Sequence, residues 1–281
     1  MPAGQGPFPA IVLVHGSGPN DRDESIGPNK PFKDMAWGLA TQGIAVLRYE
    51  KRTKQCVAEV VRDMETLTLD EETVQDALAA AAYLRAVDGI APDSIFILGH
   101  SLGAMAAPRI GMQDPQLAGL ILVAAGARDL TDMMLEQTEY LVSLDGTVTD
   151  DEAKALAELR QQAAKVEAME FAPGEAILGA AKAYWADLLA YDPVAAAHAL
   201  NMPMLILQGE RDYQVTMEDF AAWKAGLAGR ADVEFRSYAA LNHLFMAGSG
   251  QPNPDEYNVS GNVAQGVVDD IVAWVKGRVK E

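Results

Sequence analysis

Short apolar runs rich in valine, isoleucine and leucine recur along the chain. Runs of this length between turn signals are typical of strands buried on both faces of a sheet. Six runs fit the pattern, at residues 9–14, 44–49, 94–98, 120–124, 204–208 and 233–238. Helical periodicity occupies five further stretches, at residues 33–41, 71–87, 102–112, 218–227 and 263–279. This alternation predicts the α/β fold class, with a mainly parallel sheet flanked by helices.

The interval 127–201 breaks the alternation. It offers no strand candidate, only helical patches separated by turn signals such as Asp145-Gly146. We therefore expect an inserted helical cap at 127–201, and a catalytic core made of residues 1–126 and 202–281. The apolar residues of a cap either pack as plain core or form a wall against a substrate.

Composition and charge exclude several kinds of partner. Of the 281 residues, 49% are hydrophobic and 22% charged, which is the usage of a globular protein with a sizeable core. The 22 basic and 40 acidic residues give a formal net charge of −18, so a nucleic-acid backbone or an anionic membrane surface would be repelled. An acidic surface also serves solubility alone, so the charge does not select a substrate.

The chain shows no targeting or membrane signal. No apolar run is long enough to span a bilayer, and residues 1–8 lack a signal-peptide pattern. We expect a soluble, cytoplasmic protein, while a removed leader or a homo-oligomer stays open. Cys56 is the single cysteine, so neither an internal disulfide nor a cysteine-based metal cluster can form.

Residues 99–103 read GHSLG and fit the pattern Gly-x-Ser-x-Gly. The pattern is weak alone, but here a predicted strand runs into it and a helical stretch leaves it. That setting allows a sharp strand-to-helix turn that exposes the serine hydroxyl. We interpret Ser101 as a nucleophile; the alternative is a simple glycine-rich turn.

A serine hydroxyl needs a base, usually a histidine oriented by a carboxylate. In proteins with such a strand-to-helix turn at the serine, the three residues occur along the chain in the order serine, acid, histidine. Of the four histidines, only His243 lies beyond the last predicted strand. The acid should follow a strand between Ser101 and His243, and Asp212 does so. Glu210 is a nearby rival for this role and Asp192 a distant one.

Acyl transfer also needs N–H donors aimed at the oxyanion of the tetrahedral intermediate. Leu102, directly after the nucleophile, supplies one, and we choose the N–H of Ser17 in the loop after the first strand as the other. The loop could also be a glycine-rich turn without this role. As candidate substrate contacts we name Gly16, Gly18, His100, Met133, Trp185 and Phe245.

Four motifs together resemble the bacterial α/β-hydrolase carboxylesterases, and within them the dienelactone-hydrolase-like esterases. They are VLVHGSGPNDRDE at residues 12–24, GHSLG at 99–103, GERD at 209–212 and LNHLF at 241–245. The similarity extends from Phe8 to the final helix. It implies an α/β-hydrolase fold that cleaves short-chain acyl esters with Ser101, Asp212 and His243, without a cofactor or a metal.

The sequence leaves rival functions open. A thioesterase, a prolyl-type peptidase or an acyltransferase would use the same three residues, and a non-catalytic protein could hold a small ligand on this fold. The chain also departs from the resemblance before its first strand. Related proteins usually carry antiparallel strands there, so we expect a truncated or naturally short form.

Overall fold

The computed structural model describes residues 1–279, and a parallel sheet lies at its centre. The strands of this part of the chain are β1 (Phe8–Val14), β2 (Ala45–Leu47), β3 (Ile90–His100), β4 (Gly119–Val123), β5 (Ala176–Ile177), β6 (Ala180–Ala181), β7 (Met204–Gly209) and β8 (Val233–Tyr238). The central sheet has the order β2-β1-β3-β4-β7-β8, and each neighbouring pair is parallel. The carboxyl ends of its strands therefore meet at one edge.

Helices connect the strands on both faces. They are α1 (Pro31–Thr41), α2 (Arg52–Gln55), α3 (Val57–Arg62), α4 (Gln75–Arg85), α5 (Leu102–Gln113), α6 (Leu130–Val142), α7 (Asp150–Glu167), α8 (Lys182–Leu189), α9 (Pro193–His198), α10 (Met217–Gly226) and α11 (Gln265–Lys276). A π-helical turn at Asp70–Val74 leads into α4. None of the helices within residues 1–279 has the length and apolar character needed to cross a bilayer.

Two hydrophobic clusters cover the two faces of the sheet. Successive side chains of a strand point to opposite faces, so Val12 of β1 joins one cluster and Leu13 the other. The cluster of Val12 includes buried residues of α4, α5 and α10, whereas that of Leu13 includes buried residues of α1 and α11. This two-sided burial explains why the strands are continuous apolar runs.

The fold prediction is confirmed, with shifts at the ends of elements. All six predicted strands and all five predicted helices are present; the helix expected over 71–87 is divided between the π-helical turn and α4. The short helices α2 and α3 were not predicted. Neither helix contains a buried residue, so neither shows the apolar periodicity on which a helix prediction depends.

Residues 127–201 hold the four helices α6 to α9, but they are not purely helical. The strands β5 and β6 form a small antiparallel hairpin, which corrects the expectation of helices alone. Leu178 and Gly179 link its strands with φ values of 49° and 83°. Positive φ at both central residues favours a tight hairpin turn. The sequence Leu-Gly lacks the usual Asn-Gly signal, which explains the miss.

Candidate active site

Ser101 lies at the turn between β3 and α5. Its φ of 53° is unusual for a residue with a side chain, and its ψ is −119°. A Cβ built on Gly103 would lie 2.3 Å from the carbonyl oxygen of Val14, so only glycine lets the first turn of α5 approach β1 this closely. The strand-turn-helix setting expected for this motif is therefore present, with strained backbone at the serine.

His243 and Asp212 meet at the same edge of the sheet. Asp212 follows β7, and His243 lies in the loop after β8, with exposures of 5% and 4%. The Nδ1 of His243 lies 2.7 Å from Oδ2 of Asp212. Because a carboxylate only accepts hydrogen bonds, Nδ1 carries the hydrogen, and in the neutral ring Nε2 then has the lone pair that can accept a proton.

The protein holds the Asp212 carboxylate from several sides. Its Oδ1 accepts from the N–H groups of Gln214 at 2.8 Å and Val215 at 3.0 Å. Its Oδ2 accepts from Nε2 of Gln208 at 3.3 Å, in addition to His243. Gln208 is itself buried and also donates to the carbonyl oxygen of Val215 at 2.8 Å. These contacts fix the orientation of the acid.

The two rival acids lie elsewhere. Glu210 accepts a hydrogen bond from the hydroxyl of Ser237 at 2.7 Å. Asp192 is the N-cap of α9 and accepts from the first N–H groups of that helix. Of the three acids, only Asp212 is joined to the His243 ring.

A cavity of about 570 Å³ lies at this edge of the sheet. Ser101 and His243 both line it, together with Gly16, Ser17 and Gly18. Residues 127–201 contribute a largely apolar wall, which includes Leu130, Met133, Met134, Gln137, Tyr184 and Trp185. The structure therefore brings Met133 and Trp185 to the cavity, as expected for substrate contacts.

The loop after β1 packs directly on the serine. A Cβ built on Gly16 would lie 3.1 Å from Cβ of Ser101. The N–H of Gly16 donates to Oε1 of Glu24 at 2.6 Å, so it is occupied. Within residues 1–279, no protein acceptor takes the N–H of Ser17 or of Leu102. Both groups are free to donate to a ligand.

His100 and Glu24 form a buried ion pair behind Ser101. Nδ1 of His100 lies 3.0 Å from Oε2 of Glu24, although the N–H is not aimed at that oxygen. Burial lowers the pKa of His100, but the Glu24 carboxylate raises it more, and the net pKa is raised. Burial raises the pKa of Glu24, but His100 and the Gly16 N–H lower it overall. Both shifts favour the charged forms of the two groups.

The two remaining candidate substrate contacts, His100 and Phe245, differ in their position relative to the cavity. His100 borders the cavity, but its ring nitrogens face protein atoms, since Nε2 lies 2.9 Å from the carbonyl oxygen of His243. Phe245 does not line the cavity among the described residues, which corrects that prediction. Its N–H bonds to the carbonyl oxygen of Asn242, and this tight turn with a φ of 57° buries the ring against Tyr238.

Sequence reasoning missed three polar residues that hold the site. Glu24 ends the motif of residues 12–24 in a polar stretch of the sequence, yet its side chain is 2% exposed. Lys51, equally buried, donates to the carbonyl oxygen of Gly16 at 2.8 Å. Gln208 is the one polar side chain of the buried strand β7, and that position was the one available signal. For Glu24 and Lys51 the sequence offers no periodic signal.

A parallel sheet in this order, with a serine on a strained turn after a strand, defines an α/β-hydrolase. The same fold occurs among solved structures. An esterase of Pyrococcus furiosus is 13% identical with a TM-score of 0.58, covering 97% of this chain and 83% of that one. Est1E from Butyrivibrio proteoclasticus, solved with ferulic acid bound, is 15% identical with a TM-score of 0.58, and the match covers 99% of this chain and 92% of that one.

The family follows from the sequence itself. The family model described as serine aminopeptidase, S33, matches residues 7–248, and the chain belongs to this family. The esterase EstD of Thermotoga maritima is 43% identical over 275 residues, which are 98% of this chain. The chain spans 64% of the length of EstD. The expected resemblance to bacterial esterases of the α/β-hydrolase fold is confirmed.

Proposed function

We propose that this chain is a serine carboxylesterase that hydrolyses short-chain acyl esters of small molecules. One observation carries the proposal: Ser101 and His243 line the same cavity, and His243 is bonded to the buried Asp212. The name of its relative EstD, an esterase, supports the same activity. The roles below extend this proposal to individual residues.

Acylation begins when Nε2 of His243 removes the proton of the Ser101 hydroxyl. The serine oxygen attacks the ester carbonyl carbon and forms a tetrahedral intermediate. The N–H groups of Ser17 and Leu102 donate to its negatively charged oxygen. Leu102 also begins α5, so the partial positive charge of the helix N-terminus stabilises the same oxygen.

Collapse of the intermediate breaks the bond to the alcohol, which leaves with the proton held by His243. Ser101 is then acylated. A water molecule gives a proton to the same Nε2 and attacks the acyl carbon, forming a second tetrahedral intermediate. Its collapse breaks the bond to Ser101, whose oxygen takes the proton back from His243, and the carboxylic acid is released. Asp212 keeps the imidazole oriented in both halves and stabilises its charged form.

We also propose that residues 127–201 act as a cap over this site. Met133 of α6 and Trp185 of α8 are 6% and 2% exposed and line the cavity. An apolar wall of this kind binds the hydrocarbon part of an ester, while the sheet edge holds the reacting carbonyl. Ser101 would then perform the chemistry and the cap would select the acyl chain.

Covalent labelling tests the central role. A fluorophosphonate should add one phosphonyl group to Ser101, which tryptic mass spectrometry locates, and Ser101→Ala should give no adduct at that peptide. Absence of the adduct from the wild-type protein would favour a binding protein instead.

Substrate comparison tests the bond that is cleaved. The family description names a serine aminopeptidase, so amide cleavage is the specific rival. We expect kcat/KM for p-nitrophenyl butyrate to exceed that for a butyryl thioester and for proline p-nitroanilide. A preference for the anilide would indicate a peptidase. Product analysis with added alcohol distinguishes hydrolysis from acyl transfer.

A further inference from the structure

Lys51 occupies an unusual position for a lysine. Its side chain is 2% exposed and lies after β2, at the start of α2. Its Nζ donates to the carbonyl oxygen of Gly16 at 2.8 Å and lies 2.7 Å from Oε1 of Glu72. Burying an amine and a carboxylate in this way carries a large desolvation penalty.

Glu72 is fully engaged as well. It lies in the π-helical turn Asp70–Val74 and is 6% exposed. Its second oxygen accepts a hydrogen bond from the hydroxyl of Tyr184 in α8. Burial, and then the Glu72 carboxylate, raises the pKa of Tyr184, so its hydroxyl stays protonated and donates. Lys51 is therefore held in place between Glu72 and the Gly16 carbonyl.

Stability alone does not account for this pair. Apolar side chains of similar volume often replace buried ion pairs without loss of stability. The contact of Lys51 with a backbone carbonyl points instead to the geometry of the loop that carries that carbonyl. Gly16 is held from its other side too, because its N–H donates to Glu24 at 2.6 Å.

The held carbonyl belongs to the same peptide unit as the N–H of Ser17. A trans peptide is planar, so its C=O and N–H point in opposite directions, and a contact that fixes one fixes the other. We propose that Lys51, oriented by Glu72, is a positioning residue that fixes the Gly16–Ser17 peptide so that its N–H can bind the oxyanion. This inference rests on the proposed esterase function.

Electrostatic stabilisation of an oxyanion requires donors that are oriented before the reaction. A peptide free to rotate would have to be reordered in the transition state, whereas substrate binding to the apolar wall from residues 127–201 would be unaffected. Loss of Lys51 should therefore lower kcat and leave KM nearly unchanged.

The test variant is Lys51→Met combined with Glu72→Gln. It removes both charges, so neither is left buried alone, and Glu72→Gln keeps an oxygen that can accept from Tyr184. We expect kcat for p-nitrophenyl butyrate to fall by about 10- to 100-fold. Removal of one oxyanion donor lowers kcat by about 100- to 1000-fold, so the expected fall is at most the lower end of that range. KM should change by less than about twofold, and the shape of the pH profile should not change.

A trifluoromethyl ketone gives the readout specific to the oxyanion, because its adduct with serine carries a negative oxygen. Its inhibition constant should rise by the same factor as kcat falls. A merely structural role for Lys51 would not produce this parallel change.

Arg85 and Asp114 provide the matched control. They form an ion pair in which the nitrogen and oxygen atoms are 2.7 Å apart, and neither residue lines the cavity. The double variant Arg85→Met with Asp114→Asn should keep the wild-type kcat. Thermal unfolding of both double variants shows whether each is folded at the assay temperature.

Asn20→Ala examines the same carbonyl with little risk to folding. Asn20 is only partly buried, and its Nδ2 donates to the Gly16 carbonyl at 3.1 Å and to the Ser17 carbonyl at 2.9 Å. We expect a smaller fall in kcat, by about 3- to 10-fold. Asn20→Ala leaves Lys51 in place, so Glu72→Gln alone, which removes the carboxylate that orients Lys51, replaces the double variant if that variant does not fold.

The outcomes separate the inference from the function on which it rests. If wild-type protein reacts with the fluorophosphonate at Ser101 but a folded Lys51 variant, or Glu72→Gln in its place, keeps full kcat, the inference alone fails. If wild-type protein neither reacts nor hydrolyses esters, the proposed function fails and the inference fails with it. A fall in kcat together with a matching loss of ketone affinity supports both.

Discussion

The two walls of the cavity differ in how they are held. The wall at the sheet edge is fixed by hydrogen bonds and ion pairs, such as Asp212 with His243 and Glu24 with His100. The wall from residues 127–201 is mainly apolar. The helices behind the walls differ too: α5 has nine buried residues, whereas α6 has two, Thr131 and Met133.

Under the proposed function, this difference predicts separate roles for the two walls. Hydrogen bonds are directional, so the sheet-edge wall can hold reacting groups within a few tenths of an ångström. Apolar contacts are not directional, so the other wall can accept ligands of different shape. We expect changes in the first wall to affect kcat for every substrate, and changes in the second to affect the preference among substrates.

The largest effect should come from Ser101→Ala. Removal of the attacking oxygen should lower kcat by about 10⁵- to 10⁶-fold, as for other serine hydrolases whose nucleophile is removed. The measurement is kcat with acetate, butyrate and hexanoate esters. The same factor should appear for all three, because the serine touches the carbonyl they share. A factor that depends strongly on chain length would contradict the division between the walls.

Asp212→Asn should have the next largest effect. The amide can donate to Nδ1 of His243, which favours the tautomer whose Nε2 carries the hydrogen and cannot act as base, so kcat should fall by roughly 10⁴-fold. Asp192→Asn is the matched control, since Asp192 caps α9 and lies outside the cavity lining. Near wild-type activity of Asp212→Asn would show that Asp212 does not orient the base.

Glu24→Gln should change how the free energy of unfolding depends on pH, because it removes the carboxylate that pairs with His100 in the sheet-edge wall. The raised pKa of His100 gives stability that is complete below pH 6.5 and is lost as the pH rises through the folded-state pKa. The lowered pKa of Glu24 gives stability that is present above pH 4.5 and is lost as the pH falls through its folded-state pKa.

The pair should therefore stabilise the fold most between pH 4.5 and 6.5. In that window Glu24→Gln should lower the free energy of unfolding in urea by about 2 kcal/mol, and the difference should shrink at either extreme. As a control, the stability difference between Met133→Ala and wild type should not vary with pH, because no charge is involved. A pH-independent difference for Glu24→Gln would contradict the ion pair.

Met133→Ala should have the smallest effect and should concern the apolar wall. Loss of this contact removes about 1 kcal/mol of binding, so KM for a hexanoate ester should rise roughly fivefold. KM for the acetate ester, whose short chain does not reach the wall, should hardly change. Met112→Ala, on the exposed face of α5, is the control. Equal changes for both esters would weigh against a role in chain selection.

Local sequence was sufficient to predict the strands of the sheet and the turn at Ser101. The strands are buried on both faces, so an unbroken apolar run such as residues 204–208 marks a strand wherever it falls. The turn at Ser101 depends on glycines within two residues of it, which the motif itself contains. By contrast, α2 and α3 bury no residue, so no pattern in their sequence could predict them.

The sequence by itself determined the order of strands and helices, because burial on a sheet requires an apolar pattern that can be read residue by residue. It also identified Ser101, Asp212 and His243 as candidates, because each follows a strand whose end lies at one edge. Their approach in space follows from the parallel order of the strands, which the pattern already implied.

Only the tertiary structure decided the contacts between distant residues. Lys51 reaches Gly16 across 35 positions of the chain, and the direction of a buried lysine depends on packing around it. Phe245 is only two residues from His243, yet a tight turn directs its ring into the core. Such contacts depend on three-dimensional packing and leave no periodic pattern in the sequence, because they join single residues rather than faces of elements.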